Sequence, residues 1–348
     1  MNDYQKHLIH SDLTIREVLQ RLEMLASDAI LFLVDANVCL LGSLTDGDIR
    51  RGLIRGLGLN DSILSFIQPN PRYFKRNEFN LEQMAGWRSQ NYRVIPVLND
   101  HNQIIDIVNF RIQRSYLPID AVIMAGGVGE RLRPLTLDTT KALLKVAGKP
   151  IIDYNIDRLI SFGVWNYTLT IKYLGQQIKG HLGDGASRKI QVRYFEEAEP
   201  LGTIGAIRMV EHFEHDYLLV MNSDLLTDIN FEDLYRELVD KNGDMIIAST
   251  PYEVKIPYGV IESEGDHITS LREKPTYTYY SNAGIYLLRR EMIQFIPPNQ
   301  HFDATDLMNV LIEKGKKVLH YPILGYWLDI GRHQDFEKAQ KDVGRLRL

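Results

Sequence analysis

A single cysteine, Cys39, in 348 residues rules out an internal disulfide and points to a reducing compartment. Basic excess is also missing. The 40 Lys and Arg against 45 Asp and Glu give a net charge of −5 and a pI near 6.1, which argues against the basic stripe of a nucleic-acid binder. No apolar run approaches the roughly 18 residues of a membrane span. The opening MNDYQKHLIH carries no basic-then-apolar signal pattern, so a cytoplasmic location away from membranes is expected. What is present is apolar material, 45% of the chain, enough for real cores, in a length that predicts two or three domains of about 100–200 residues each.

The most committed stretch is AVIMAGGVGERLR, residues 121–133, an apolar strand running into a glycine-rich turn. Gly126, Gly127 and Gly129 carry no Cβ and can take positive φ, so the turn can set backbone N–H groups, with that of Ala125, against phosphate. Arg131 adds a planar, permanently charged fork. A Walker loop would end in Gly-Lys-Ser/Thr, and the dinucleotide fingerprint needs a third glycine where Leu132 stands, so neither fits.

The longer run GGVGERLRPLTLDTTKALLKVAGKP resembles the signature of sugar-1-phosphate nucleotidyltransferases. The likeness continues through EEAEPLGTIGAI, MNSD, YGVIE, REKP, SNAGIY and GYWLDIGRHQDFEKA, over residues 119–340. It implies attack of a sugar 1-phosphate oxygen on the α-phosphorus of a nucleoside triphosphate, giving a nucleotide sugar and pyrophosphate. Such transfer depends on positioning and charge neutralisation. By resemblance Arg131 meets the triphosphate, Lys141 the α-phosphate region and Lys274 the incoming sugar's phosphate. Asp224 and Asp329 would hold Mg²⁺, whose hard character suits carboxylate oxygens. Taken singly, Asp224 reads as a turn or cap residue and Asp329 as a partner for Arg332 or His333. Gly259, Glu273 and Asn282 match the family's sugar contacts. The family usually flanks the signature lysine with prolines, and Thr140 and Ala142 in their place predict a looser loop.

Base choice rests on EEAEPLG, where Pro200 and Gly202 shape the backbone and Glu197 stands where thymidylyl and uridylyl members tend to carry glutamine. A carboxylate only accepts hydrogen bonds, and guanine offers two adjacent donors. GTP is therefore favoured over UTP, CTP or dTTP, unless Glu197 is a solvated strand residue and Glu196 or Glu199 is equally placed. The run resembles guanylyltransferases, including those that activate amino sugars with GDP in bacterial surface-sugar pathways.

Alternation of strand and helix after Pro118 predicts an α/β fold, a doubly wound, mostly parallel sheet with ligands at the carboxyl ends of its strands. TIGAIRMVEHF is expected to be one of its helices. We place the boundary at Leu117, dividing residues 1–117 from 118–348. The first part runs helix, strand, strand, helix and then repeats imperfectly after roughly 60 residues, with FNLEQMAGWRSQ as the second copy's helix. The copies resemble a pair of CBS modules, a small α+β tandem that binds adenine nucleotides or serves assembly, and a homo-oligomer is the expectation. By that resemblance Thr45 and Asp48 would contact phosphate or ribose; equally, they cap the helix that follows them.

Overall fold

The computed structural model describes residues 4–75 and 80–346. Phe79, the first residue of the FNLEQMAGWRSQ segment, and the first three residues of the opening MNDYQKHLIH lie outside that range. The chain divides into two compact units, one built on residues up to Tyr116 and the other on residues from Leu117 onward.

The first unit contains β1 (Leu8–Ile9), α1 (Ile15–Leu25), β2 (Leu31–Val34), β3 (Leu40–Leu44) and α2 (Asp46–Ile54). A second series follows with β4 (Phe74–Lys75), α3 (Leu81–Ser89), β5 (Val94–Leu98) and β6 (Ile104–Asn109). Each copy makes a three-stranded sheet, β1-β2-β3 and β4-β5-β6, whose first pair is parallel and second antiparallel. The two-residue strands that open each copy escape a pattern search because they are too short to show alternation. Helix α1 buries Ile15, Val18 and Leu22, one stripe at helical spacing, and starts at a capping box between Thr14 and Glu17.

The second unit opens with β7 (Ile119–Ala125), a small β8 (Lys145–Val146) and β9 (Lys149–Pro150) ribbon, α4 (Ile151–Ser161), β10 (Asn166–Ile171), α5 (Gly175–Leu182) and β11 (Gln191–Glu196). Then come β12 (Tyr217–Asn222), β13 (Leu225–Thr227), α6 (Phe231–Asp240), β14 (Met245–Lys255), β15 (Val260–Glu264), β16 (His267–Arg272) and β17 (Thr276–Arg289). The chain finishes with α7 (Ala304–Glu313), β18 (Val318–Pro322), β19 (Trp327–Asp329) and α8 (His333–Asp342). No helix among the described residues is long and apolar enough to cross a membrane.

Seven strands form the central sheet in the order β11-β10-β7-β12-β17-β14-β18. Only β17 runs antiparallel to its neighbours, so the sheet is mostly parallel, as the alternation of strand and helix predicts. The chain leaves β7 toward β10 and β11 on one side and reaches β12 on the other. That reversal opens a crevice at the carboxyl ends of the strands. Register puts those ends level: Ala125 pairs with Ile171, Ile171 with Glu196, and Met124 with Asn222.

TIGAIRMVEHF is not an α-helix. It forms a short 3₁₀ turn, Gly205–Met209. Ile204, Ile207, Val210 and Phe213 recur every three residues and all pack in one core cluster with β12 and α7. A period of three fits the 3₁₀ turn, in which residues i and i+3 eclipse, better than an α-helix.

Candidate active site

A cleft of about 880 Å³ lies at the carboxyl ends of β7, β10, β11 and β12. Its wall contains Ala125, Gly126, Gly127, Gly129, Arg131, Lys141, Glu197, Pro200, Gly202 and Asp224, every nucleotide-side residue expected from sequence.

The turn after β7 is anchored from below, where Leu132 is fully buried with Ile151, Leu226, Leu328 and Ile330. A dinucleotide-type third glycine would remove that anchor. Of the three turn glycines only Gly129 takes positive φ, at +68°, and a Cβ there would lie 3.0 Å from Thr136 Cγ2. Gly127 instead has open space on its Cβ side, room for an anion to approach the backbone.

Lys141 sits in a single 3₁₀ turn, Lys141–Leu143. Its flanks are not loose: Thr140 and Ala142 are buried, and the Thr140 N–H donates to Gln177 Oε1 at 3.0 Å. Gln177 also donates through Nε2 to Asp138 O at 2.8 Å. One amide from α5 thus pins the segment leading into Lys141, where a proline would otherwise stiffen it.

Asp224 and Asp329 are brought together by backbone pairing. Strand β13 pairs antiparallel with β19, placing Leu225 opposite Asp329, and the Ile330 N–H donates to Asp224 O at 3.1 Å. The Lys141 ammonium contacts Asp224 Oδ2 and stands 3.9 Å from Asp329 Oδ1. The side chains of Lys141 and Asp224 are only 15% and 14% exposed, so their attraction is poorly screened. Burial, and then the charge of Asp224, push the Asp329 carboxyl above the usual carboxylate range, against the pull of Lys141 and Arg131. Arg131 is exposed and faces Gly331, where a Cβ would lie 3.4 Å from its Nη2.

Asp224 Oδ1 and Asp329 Oδ1 are both buried without a hydrogen-bond partner. Buried carboxylate oxygens left in that condition are costly. Two converging hard oxygens fit a cation that keeps much of its water, as Mg²⁺ does. Among the described residues no group of three or more His, Cys, Asp or Glu gathers that could hold a metal ion, so a cation here would have this carboxylate pair as its protein donors.

Also in the cleft wall, Glu197 is half-buried and accepts from the Leu201 N–H through Oε2 at 3.1 Å. Its Oε1 turns toward Gly126, where a Cβ would lie 3.3 Å away. Glu196 is tied to Lys179 at 2.8 Å and Glu199 is exposed, so of the three glutamates Glu197 is the one in the cleft wall. Gly202 takes φ +76°, and a Cβ there would strike Phe302 O at 2.7 Å.

Gly259, Glu273, Lys274 and Asn282 are exposed and do not line this cleft. Gly259 and Glu273 do meet, since a Cβ on Gly259 would lie 3.2 Å from Glu273 Oε2. Lys274 adopts a left-handed φ of +45° and donates its N–H to Tyr258 O at 3.2 Å. Asn282 donates to the Tyr286 hydroxyl at 2.9 Å and accepts from the Gly284 N–H at 3.0 Å, which commits its amide to β17 itself.

In the first unit Thr45 and Asp48 satisfy each other as a capping box of α2, with Thr45 Oγ1 donating to Asp48 Oδ2 at 2.6 Å. The other oxygen, Asp48 Oδ1, pairs with Arg51 at 2.6 Å.

Sequence reading missed Lys172, Tyr173, Thr203 and His301 in the cleft wall. Lys172 and Tyr173 directly follow β10 and could have been found from the strand-end rule. His301 carries no such signal, because it arrives on the loop before α7, about a hundred residues from Gly202.

Residues 120–345 match the nucleotidyl transferase family. The chain is similar to the mannose-1-phosphate guanylyltransferase catalytic subunit beta of Danio rerio, 30% identical over 224 residues, 62% of each chain. It is also similar to the mannose-1-phosphate guanylyltransferase of Mycobacterium tuberculosis, 29% identical over 233 residues, 65% of each chain. The match thus spans less than two thirds of these curated relatives. Among solved structures, HddC from Yersinia pseudotuberculosis complexed with GMP-PN superposes with a TM-score of 0.51 and 26% identity, over 64% of this chain and 99% of that one. A glucose-1-phosphate thymidylyltransferase described as putative, from Bacillus anthracis, shares the fold at a TM-score of 0.54 and 22% identity, over 66% of this chain and 97% of the other. With the family match covering well over half of its residues, this chain belongs to the nucleotidyl transferase family.

Proposed function

We propose that the protein joins a sugar 1-phosphate to GTP, giving a GDP-sugar and pyrophosphate. The carrying observation is the cleft itself, whose wall contains Glu197 and Lys141, with the Lys141 ammonium set against the carboxylates of Asp224 and Asp329. The guanylyltransferase names of the relatives and the GMP-PN in the HddC structure agree with it.

The backbone of Ala125 to Gly129 would hold the triphosphate while Arg131 neutralises the leaving pyrophosphate. Lys141 would steady the α-phosphate as the sugar phosphate approaches in line, with Lys274 guiding the second anion and Gly259, Glu273 and Asn282 reading its hydroxyls. Asp224 and Asp329 would hold Mg²⁺, which when bound withdraws charge from phosphate oxygens. The Oε1 atom of Glu197 would accept from guanine's N1–H and amino group, while Pro200 and Gly202 shape the backbone beside it. Uracil presents a donor between two acceptors and would meet the carboxylate less well.

Residues 1–117 are proposed to form a tandem CBS domain, supported by the repeated sheet topology, that binds an adenine nucleotide or serves homo-oligomer assembly. Ligand binding at Thr45 and Asp48 would require Asp48 to exchange Arg51 for a ribose, and titration of AMP and ATP into the full chain tests it. A free, half-buried Cys39 is consistent with the cytoplasm.

The deciding experiment is a steady-state screen of GTP, UTP, CTP, dTTP and ATP against mannose 1-phosphate and other hexose 1-phosphates, read by pyrophosphate release. Highest kcat/KM with GTP is expected. A higher value with another triphosphate would refute the base assignment, and no release with any pair would refute the activity.

A further inference from the structure

The loop carrying Gly202 is stitched to a distant segment, Phe302–Ala304, by an unusually complete set of bonds. The Phe302 N–H donates to Leu201 O at 2.9 Å, and the N–H groups of Ile204 and Gly205 both donate to Phe302 O at 3.1 Å. Asp303 Oδ1 accepts twice from one residue, from the Thr203 N–H at 2.8 Å and from Thr203 Oγ1 at 3.1 Å. The Thr203 hydroxyl in turn accepts from the Ala304 N–H at 2.8 Å. Both glycines of the loop serve this contact: a Cβ on Gly202 would strike Phe302 O at 2.7 Å, and one on Gly205 would strike Gln300 O at 2.8 Å.

Thr203 and His301 both line the cleft, whereas Asp303 lies behind them. The other end of the loop is fixed by Glu197, whose Oε2 accepts from Leu201. Glu197 therefore has one oxygen holding the loop and one turned into the cleft, and its aim depends on where Leu201 is held. Leu201 is held by Phe302. Hydrogen bonds to a charged acceptor are stronger than those between neutral groups, so the Asp303 carboxylate is a principal fastener of this seam.

We propose that Asp303 is a positioning residue for base selection, holding the Leu201–Gly205 loop so that Glu197 presents a single acceptor to the nucleobase. The proposal rests on the assignment of this wall to the base. Asp303 touches no substrate. It also starts α7, where its own N–H donates to Asp306 Oδ2 at 2.8 Å, so a substitution there risks a purely structural effect. The prediction is accordingly about discrimination and not activity alone.

The test measures kcat/KM for GTP, UTP and dTTP at saturating sugar 1-phosphate in full-length wild type, Asp303→Ala, Asp303→Asn and Thr203→Val. Asparagine retains an Oδ1 acceptor, keeps the N-cap of α7, and should keep discrimination near wild type. Asp303→Ala should lower the ratio of the best to the second-best nucleotide by about tenfold or more, through KM for the nucleotide, because a 1 Å misplacement can cost about 100-fold. Thr203→Val removes the hydroxyl while leaving Asp303 and its cap in place, and should move the ratio in the same direction. If both Asp303→Ala and Thr203→Val lose kcat or melting temperature while the ratio stays at the wild-type value, Asp303 is structural only and the inference fails. Should the wild type prefer a nucleotide other than GTP, the guanine assignment fails, and the ratio measured with the preferred nucleotide still tests Asp303.

Discussion

The ammonium of Lys141 is wedged between two carboxylates, in contact with Asp224 and 3.9 Å from Asp329 Oδ1. It therefore occupies ground that a divalent ion held by the same oxygens would share. Replacing Lys141 by Met should have two opposite consequences. Turnover should fall by about 10²–10³-fold, the usual cost of removing one preorganised charge from a phosphate site. Mn²⁺ affinity of the free protein, measured by electron paramagnetic resonance or calorimetry, should rise, since an ammonium no longer competes. A weaker Mn²⁺ affinity in Lys141→Met would mean that the lysine supports the ion site and does not oppose it.

Asp224→Asn should abolish metal-dependent turnover and leave the fold intact, because Asn can still occupy the turn between β12 and β13. The Asp224 contribution to the backbone pairing is its carbonyl, which accepts from Ile330 regardless of side chain. Circular dichroism and melting close to wild type, with pyrophosphate release reduced by at least about 10²-fold, is the expected pattern. Near-normal turnover would remove the aspartate pair from the mechanism.

Asp329 makes a stability prediction with a definite sign. Burial and the neighbouring charge of Asp224 raise its carboxyl pKa in the folded state, so ionisation costs the folded protein more than the unfolded chain. The penalty is fully present above the folded-state pKa and vanishes below the unfolded value of about 3.9. Asp329→Asn should thus melt higher than wild type at pH 7, by a shift on the order of a few °C, and the gain should disappear as pH falls toward 4. Catalysis should be lost in the same variant. A lower melting temperature at pH 7 would show that the carboxylate is a net stabiliser in the metal-free protein.

Glu197→Gln tests the base assignment with one atom's change. Glutamine keeps an oxygen for the Leu201 N–H and turns an amide donor toward the cleft. A donor facing guanine's donors loses a charge-assisted hydrogen bond of about 1.5–3 kcal/mol, so kcat/KM for GTP should drop roughly 10- to 150-fold. UTP and dTTP should improve relative to GTP. An unchanged nucleotide ranking would place the base elsewhere in the cleft.

The glycine-turn wall of this cleft was legible in the sequence because its parts are contiguous. A strand, a glycine turn and Arg131 occupy one short run, and their positions follow from where an apolar strand must end. Asp224 and Asp329 were legible only through resemblance, since their meeting depends on β13 pairing with β19, two strands of three residues each. His301 and Asp303 were not legible at all. His301 reaches the cleft, and Asp303 lies behind it, on a connecting loop whose path is set by bonds to the Leu201–Gly205 segment, and backbone acceptors leave no mark in residue type. The four sugar-side positions are the reverse case. Their motifs are adjacent in sequence, yet Gly259, Glu273 and Lys274 stand on a hairpin apart from the cleft, and Asn282 is committed to its own strand.

Gln177 provides the last prediction, because the chain has Thr140 and Ala142 where the resemblance would have prolines. Proline stiffens a loop by narrowing the unfolded ensemble and fixing φ, whereas a side-chain amide does so by occupying backbone groups. Here Gln177 accepts from the Thr140 N–H and donates to the Asp138 carbonyl, so one residue of α5 fixes the chain leading into Lys141 at two points. Gln177→Leu is close in size and keeps the helix, but leaves Thr140 N–H without that acceptor in a buried position, at a cost of about 1–3 kcal/mol if nothing replaces it. The loop should respond by moving Lys141 away from Asp224, and kcat should fall about tenfold or more with little change in KM for the sugar phosphate. Restoring stiffness by the second route, Gln177→Leu combined with Thr140→Pro, removes the orphaned N–H altogether. Recovery of kcat in the double variant would show that the amide acts by holding this loop, and a further loss would show that the Thr140 N–H has another use.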